Sequence, residues 1–433
     1  MRWTRKLTAA LVAGIAAFAT GCSGTTGNNG SHGSVDLTFW SWAPSTAEIV
    51  AKFNETHPNI HVKHTDAGGG TESSAKLLTA ARAGNAPDVA LIENTALPRM
   101  VVAGVPRDIT GDVKDIKDKF ASGAWAQTTF DGHTFGVPQD IGPMALLYRK
   151  DVFDKYNVKA PTTWDDYRQA AAAIKARAPE LTMATLSTDG WGWYAAVAAQ
   201  AGDDWWSLKG NTWTVNIDGP GSRKVMDFFQ GMYDAKLIAA DPLLSPTYNK
   251  QVNDGTMLSW PSAAWAPGVI YGVAPNTAGK WELAPLPRWD AADPTVSYQG
   301  GSSAVVTKGS KHSKQAIEFI TWLNASDEGA KLILTVQNGY PAATSGQEDA
   351  KNQEPPKLMP QQKDYYTVVA QIAQHTRPVT WGPDTDVAAS AFTDAMNAAI
   401  RNKTSWSGAL TATQQAVVND MHKQGFKVNE GSR

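Results

Sequence analysis

The sequence predicts an α/β fold with a parallel sheet and more than one domain, and three observations carry that expectation. Between Val35 and Ile92 strand-like and helix-like patterns alternate without a break, the arrangement that builds parallel sheets. The segment Asp88 to Ile92 is nearly all apolar, as a parallel strand covered on both faces should be. The chain has 433 residues, of which 42% are hydrophobic and 18% charged, so it can form two or three domains with a sizeable core.

Each element follows from local pattern. Val35 to Trp40 reads as the first strand. Thr46 is placed to cap a helix from Ala47 to Thr56, in which Ile49, Val50 and Phe53 recur at helical spacing. His57-Pro58-Asn59 turns the chain into a second strand, Ile60-His61-Val62, and Gly68-Gly69-Gly70 breaks it. A helix is expected from Ser73 to Ala83, ended by Gly84, before the third strand. From about Asp364 onward the pattern is mostly helical, and Asn429 to Arg433 read as a frayed end.

The N-terminus carries a different signal. Arg2, Arg5 and Lys6 precede an apolar run from Leu7 to Thr20, followed by Gly21 and Cys22. A positive start, a short apolar middle and small residues at the end make a secretory signal, and the run is shorter than the ~20 residues a membrane span needs. Cys22 is the one cysteine of the chain. The ending resembles bacterial lipoprotein signals, in which the cysteine is acylated and becomes the mature N-terminus. The expectation is a signal peptide at 1–21, membrane attachment through lipid on Cys22 and an extracytoplasmic location. Residues 22–34, rich in Gly, Ser, Thr and Asn, read as a tether spanning roughly 20 Å. Removing residues 1–21 deletes three bases and no acid, so the formal charge of −2 becomes −5. A mildly acidic chain argues against nucleic acid as a partner.

Internal landmarks add a family resemblance. They run in order from Phe53-Asn54-Glu55-Thr56-His57-Pro58-Asn59-Ile60-His61-Val62, through Ala83-Gly84-Asn85-Ala86-Pro87-Asp88-Val89, to Phe135-Gly136-Val137-Pro138 with Leu146 to Phe153. Pro161-Thr162-Thr163-Trp164-Asp165-Asp166-Tyr167, Asp254-Gly255-Thr256-Met257, Gly300-Gly301, and Lys308 to Ser310 leading to Ile320 complete the series. The whole resembles the family 1 extracellular solute-binding proteins of bacterial carbohydrate ABC importers, similar to maltose- and maltodextrin-binding proteins. The resemblance implies a two-lobed periplasmic-binding-protein-like fold of type II, with discontinuous lobes, an interlobe hinge and a ligand cleft. It implies a first lobe of residues 35–138 plus 305–340 and a second of 139–304 plus 341–433. Bends are expected at Gly136-Val137-Pro138, at Gly300 to Ser303 and at Asn338-Gly339-Tyr340-Pro341. The implied partners are a sugar and the transmembrane subunits of a permease; the protein is expected to be a monomer, with no cofactor, no metal and no catalytic residue.

The residues that could carry chemistry are consistent with binding. No nucleophile elbow, phosphate loop, His-Glu-x-x-His or dinucleotide fingerprint occurs. His57, His61 and His64 resemble a metal cluster, but strand alternation sends His61 and His64 to opposite faces. Asp165-Asp166 and Asp203-Asp204 read as cap and surface carboxylates. Tryptophan is abundant, with 17 residues, and several stand among loop-forming residues, where flat apolar faces suit sugar rings. Ligands of open α/β sheets bind beyond the carboxyl ends of the strands. That rule selects Trp40, Ser41 and Trp42 after the first strand, and Glu93 and Asn94 after the third. It adds Gln139 and Asp140 at the first crossing, and Tyr298, Gln299 and Gly301 at the second. Arg377 and Trp381 follow late in the chain. The resemblance adds Asp189, Trp191 and Trp193, and the aromatics Trp260 and Trp265. Trp40, Trp191, Trp265 and Trp381 are expected to converge on one cleft. Two other readings stand beside the sugar receptor: a receptor for a glycerol phosphate or phosphodiester, for which Arg377 is the one candidate cation, and a secreted carbohydrate-active enzyme such as a glycosidase.

Overall fold

The computed structural model describes residues 34–431. Cys22, the signal segment and most of the tether lie outside the described residues. The elements that position the site are, in chain order, β1 (Val35–Ser41), α1 (Thr46–Thr56), β2 (Ile60–Asp66), α2 (Gly70–Arg82), β3 (Val89–Glu93), β4 (Val137–Asp140), β5 (Met144–Arg149), α3 (Trp191–Gln200), β6 (Ser259–Ala263), α4 (Ala266–Val273), β7 (Trp281–Pro285) and β8 (Ser302–Val306).

Five of the strands form one sheet in the order β2-β1-β3-β8-β4. β1 runs parallel to β2 and β3, whereas β8 is antiparallel to both β3 and β4. β1 alternates as a half-covered strand does. Its Leu37 and Phe39 are buried, and Phe39 meets Phe319 edge-on at 5.2 Å, as does Phe53 of α1 at 5.0 Å. The opposite face of the sheet is closed by a smaller cluster that includes Leu77, Ile92, Leu97 and Met100. β3 is therefore buried on both faces, the reason its sequence is nearly all apolar.

A second sheet, β6-β5-β7, is antiparallel throughout, and all of β5 is buried. The two sheets give the molecule two α/β halves. Residues 141–143 join β4 of the first sheet to β5 of the second. Residues 298–301 lead back into β8. These two connections run side by side: Gln299 N–H donates to the Gly142 carbonyl at 2.8 Å, and Pro143 bridges Tyr298. Gly142 has no side chain for a reason of space. A Cβ there would overlap the Gln299 carbonyl oxygen and reach the Trp265 ring at 3.0 Å. Gly300 and Gly301 have φ of 81° and 93°, the left-handed region that glycine enters without a Cβ penalty.

Four expectations need correction. Ser45, in the left-handed region with φ 53°, is the N-cap of α1; the Thr46 hydroxyl turns back to the Ala43 carbonyl instead. The helix expected from Ser73 to Ala83 begins earlier, at Gly70, and ends at Arg82. The stretch Asn338 to Pro341 is not the third passage between the halves. It lies along the first connection, with Ile141 N–H on the Tyr340 carbonyl, and then Ala343 bridges Phe120 while Thr344 donates to the Lys119 carbonyl. The chain reaches the second sheet later, where Gly279 N–H binds the Leu358 carbonyl and Gln362 binds Leu283. Finally, Lys427–Glu430 is a strand paired in parallel with Thr212–Val215, not a frayed end. Edge pairing supplied the order that composition could not. Among the described residues, no helix is long and apolar enough to cross a membrane.

Candidate functional site

A cavity of about 480 Å³ lies where the two halves are joined. On the side of the first sheet it is walled by Trp42, Gln139, Asp140 and Ser302. The loop after β1 carries Trp42, and the ends of β4 and β8 carry the other three. On the side of the second sheet stand Trp265, Tyr271 and Tyr366, with Tyr340 and Gln337 from the segment beside the first connection. The wall thus combines several flat rings and aliphatic residues with a few polar groups set between them, the composition of small-molecule sites.

The polar groups are held by named partners. Trp265 donates its indole N–H to the Gln299 carbonyl at 2.8 Å and packs edge-on against Trp260 at 5.6 Å. Its ring is therefore tied to the second connection while the residue stays half-buried. Asp140 Oδ1 accepts from the Ser302 backbone N–H at 3.0 Å and from the Ser302 hydroxyl. Burial outweighs those two bonds and pushes the Asp140 carboxyl up to about 6. Glu93 pairs with Ser302 from the other side, across β3 and β8. Burial first, and the charge of Asp140 second, raise its pKa as well. The two carboxylates stand on the same sheet edge, flanking Ser302.

Of the residues expected at the site, Trp42, Gln139, Asp140 and Trp265 line this cavity. Asn94 and Trp381 line a second cavity of about 250 Å³. The remainder are engaged elsewhere. Ser41 is buried in a hydrogen bond with Thr46. Trp40 packs against the smaller core cluster. Trp193 is buried, with its N–H on the Pro261 carbonyl at 2.9 Å, and Trp260 and Tyr298 are buried too. Gln299 takes part through its backbone, and Gly301 through its carbonyl, which accepts from Asn94 N–H. Asp189 accepts from the Leu243 backbone N–H. Arg377 binds Asp204 and the Ala199 carbonyl. The four tryptophans do not converge. Trp191 and Trp381 pack against each other at 5.5 Å within a cluster that also holds Trp205 and Trp206.

Sequence reasoning missed Tyr271, Gln337, Tyr340 and Tyr366. Tyr340 belongs to a string that was read for its Gly and Pro, and its aromatic ring was the signal available. The carboxylate pairs have structural partners: Asp166 completes a capping box with Thr163, and Asp203 accepts from Ser222 N–H. His64 donates to the Ser41 carbonyl at 3.1 Å.

A cavity at the junction of two α/β halves, walled from both and crossed by their connections, defines a two-lobed ligand-binding protein. Comparison with known proteins makes the class specific. Residues 48–361 match the bacterial extracellular solute-binding proteins, and the chain belongs to that family. It is 26% identical, over 70% of each chain, to the arabinooligosaccharide-binding protein of Halalkalibacterium halodurans. Among solved structures it is similar to the ABC transporter associated binding protein of B. animalis subsp. lactis in complex with β-1,6-galactobiose. That match has 30% identity and a TM-score of 0.81, covering 92% of this chain and 100% of the other. The galacto-N-biose/lacto-N-biose I-binding protein of the ABC transporter from Bifidobacterium longum, in complex with lacto-N-biose, shares 27% identity with a TM-score of 0.82, over 92% and 99% of the two chains.

Proposed function

We propose that this chain is the substrate-binding component of a sugar ABC importer, and that it holds a short oligosaccharide in the 480 Å³ cavity and presents it to the permease. The observation that carries this reading is the wall itself. Trp42, Trp265, Tyr271 and Tyr366 offer flat faces, and Gln139, Asp140 and Ser302 offer groups that match hydroxyls. The ligands named for the three relatives described above are sugars. Arg377, the cation expected for a phosphate, is engaged with Asp204 and the Ala199 carbonyl, and the cation that lines the cavity is Lys357. One feature weighs against the enzyme reading. Glu93 and Asp140 flank one residue of one sheet edge instead of facing each other across a bond, as a glycosidase requires. In this reading the lobes are approximately 35–140 with 302–350, and 144–297 with 358–431, and they close about residues 141–143 and 298–301.

The test is a thermal-shift screen with lactose, β-1,6-galactobiose, lacto-N-biose and arabino-oligosaccharides. A ligand at 100 times its dissociation constant adds about 2.7 kcal/mol; if no sugar raises the melting temperature, the assignment fails. Membrane attachment through a lipid on Cys22 completes the proposal and rests on the signal-like N-terminus. Cys22→Ser should move the protein from the membrane fraction to the soluble fraction, and identical partitioning of the two forms refutes the anchor.

A further inference from the structure

A chain of buried side chains runs behind the cavity wall, and its polarity can be read from the backbone. The Ala43 N–H donates to Ser41 Oγ at 3.1 Å, and the Thr46 hydroxyl donates to the Ala43 carbonyl at 2.7 Å. Neither backbone group can reverse its role. Thr46 has one hydroxyl proton, and the Ala43 carbonyl takes it. Ser41, 3.1 Å from Thr46 Oγ1, must then donate to it. Gln337, 3.2 Å away on the other side, must donate to Thr46 as well. The amide of Gln337 is thereby fixed with its nitrogen toward Thr46 and its oxygen toward Gln139. Gln139 must present its own nitrogen to that oxygen, which it does at 3.2 Å. Amide orientation is otherwise ambiguous in most structures; here two backbone atoms settle it through three side chains.

The chain ends at Gln139 Oε1, which has no hydrogen-bond partner. Gln139 is 2% exposed, Gln337 8% and Thr46 3%, and both glutamines border the cavity. A buried acceptor left unpaired carries a free-energy cost that a ligand donor would relieve. The relay reaches this point from the end of β1, across the start of α1 and the Gln337–Pro341 segment, to the first connection.

We propose that Ser41, Thr46 and Gln337 are positioning residues that make Gln139 an obligate acceptor at the cavity wall, and that the site thereby selects a sugar with a free hydroxyl at that place. This rests on the sugar-binding reading. A wall with the opposite amide orientation would offer N–H and would accept a methyl ether or a ring oxygen there. With the orientation fixed, a deoxy or O-methyl analogue leaves the acceptor unpaired, the situation in which polar sites discriminate most strongly.

The experiment uses the full chain with β-1,6-galactobiose and its monodeoxy analogues as probes, and lactose with its own series as a second set. In the wild type, deoxygenation at one position should weaken binding about tenfold. Thr46→Val keeps the shape and removes the acceptor that orients Gln337, so the penalty at that same position should fall to within about twofold, while Thr46→Ser retains it. A general loss of affinity with the tenfold ratio intact overturns the proposal, as does a wild type in which no deoxygenation costs more than about twofold. Hydrogen exchange of the Gln139 side-chain amide, followed by NMR without ligand, reads the relay independently. Protection should be at least about tenfold greater in the wild type than in Thr46→Val. Equal exchange in the two proteins refutes the relay even if neither sugar binds. If neither sugar binds and the protection difference is present, the relay stands and the sugar assignment is what fails.

Discussion

Replacing Asp140 by Asn isolates the cost of keeping an ionised carboxyl at the end of β4. The side chain keeps its size, and Oδ1 can still accept from the Ser302 N–H and hydroxyl. Only the charge is removed. In the folded protein the Asp140 carboxyl is pushed up from 3.8 to about 6. Between those values the folded state holds a proton that the unfolded state releases, so the wild type loses stability as pH rises through about 6 and is fully stabilised below about 4. The difference corresponds to about 3 kcal/mol. The Ser302 hydroxyl binds Asp140, the carboxyl of Glu93 feels its charge, and Tyr340 and Lys357 line the same cavity. Removing the Asp140 charge eases ionisation of Glu93, which returns part of that amount. For a body of roughly 400 residues, 3 kcal/mol is about 3–4 °C in melting temperature. Melting scans of both proteins from pH 4 to 8 should therefore run together at the acid end, diverge between about pH 4 and 6 and stay apart above, with Asp140→Asn the more stable by about that margin. Parallel curves across the range would show that the carboxyl is not held in a desolvated place and would remove the reasoning given for its pKa.

The other expectations are simpler to check. Gly142→Ala forces the second connection away from the first, because the new methyl overlaps the Gln299 carbonyl; overpacking of this kind costs about 1–3 kcal/mol, read by denaturant unfolding, and a neutral substitution would mean the two connections are not in contact. Trp265→Phe keeps a flat face but loses the N–H on the Gln299 carbonyl, so stability should fall by about 1 kcal/mol. Trp42→Ala should instead reduce sugar affinity by about 1–3 kcal/mol, by analogy with other stacked ligands, measured by calorimetry. Arg377→Ala leaves Asp204, whose Oδ1 already lacks a partner, half-buried and unpaired. Stability should drop by about 1–3 kcal/mol with sugar affinity unchanged, and a drop in affinity would return Arg377 to the site.

Legibility in the sequence divided along a physical line. Elements whose pattern is set by their own burial were readable. β3 is apolar because both its faces are covered, and α1 showed its buried Ile49, Val50 and Phe53 at helical spacing. Pairings made by distant partners were not readable. The strand Lys427–Glu430 is polar and exposed in part, and only its partner Thr212–Val215 makes it a strand. The site divided in the same way. The rule that ligands gather beyond strand ends selected Trp42, Gln139 and Asp140, which line the cavity. It could not tell Trp42 from its neighbour Trp40, because the two share the phase of strand alternation and only the end of β1 at Ser41 separates them. Tryptophan-rich loops suggest binding surface, yet Trp191 packs against Trp205, Trp206 and Trp381. Composition alone does not separate a ring that waits for a ligand from one that already has neighbours.

The paired connections set the mechanics of the molecule. Gly142 accepts from Gln299, Pro143 bridges Tyr298, and the Trp265 indole is pinned to the Gln299 carbonyl. Two straps laced in this manner act as one leaf spring. A leaf spring flexes about the axis across its width, but it resists twist and lateral slip, since either would pull several hydrogen bonds out of line at once. If the halves close as proposed, these two straps would favour one soft coordinate, an angle. A receptor with one soft coordinate can report only one thing to whatever docks across both halves: how far that angle has closed.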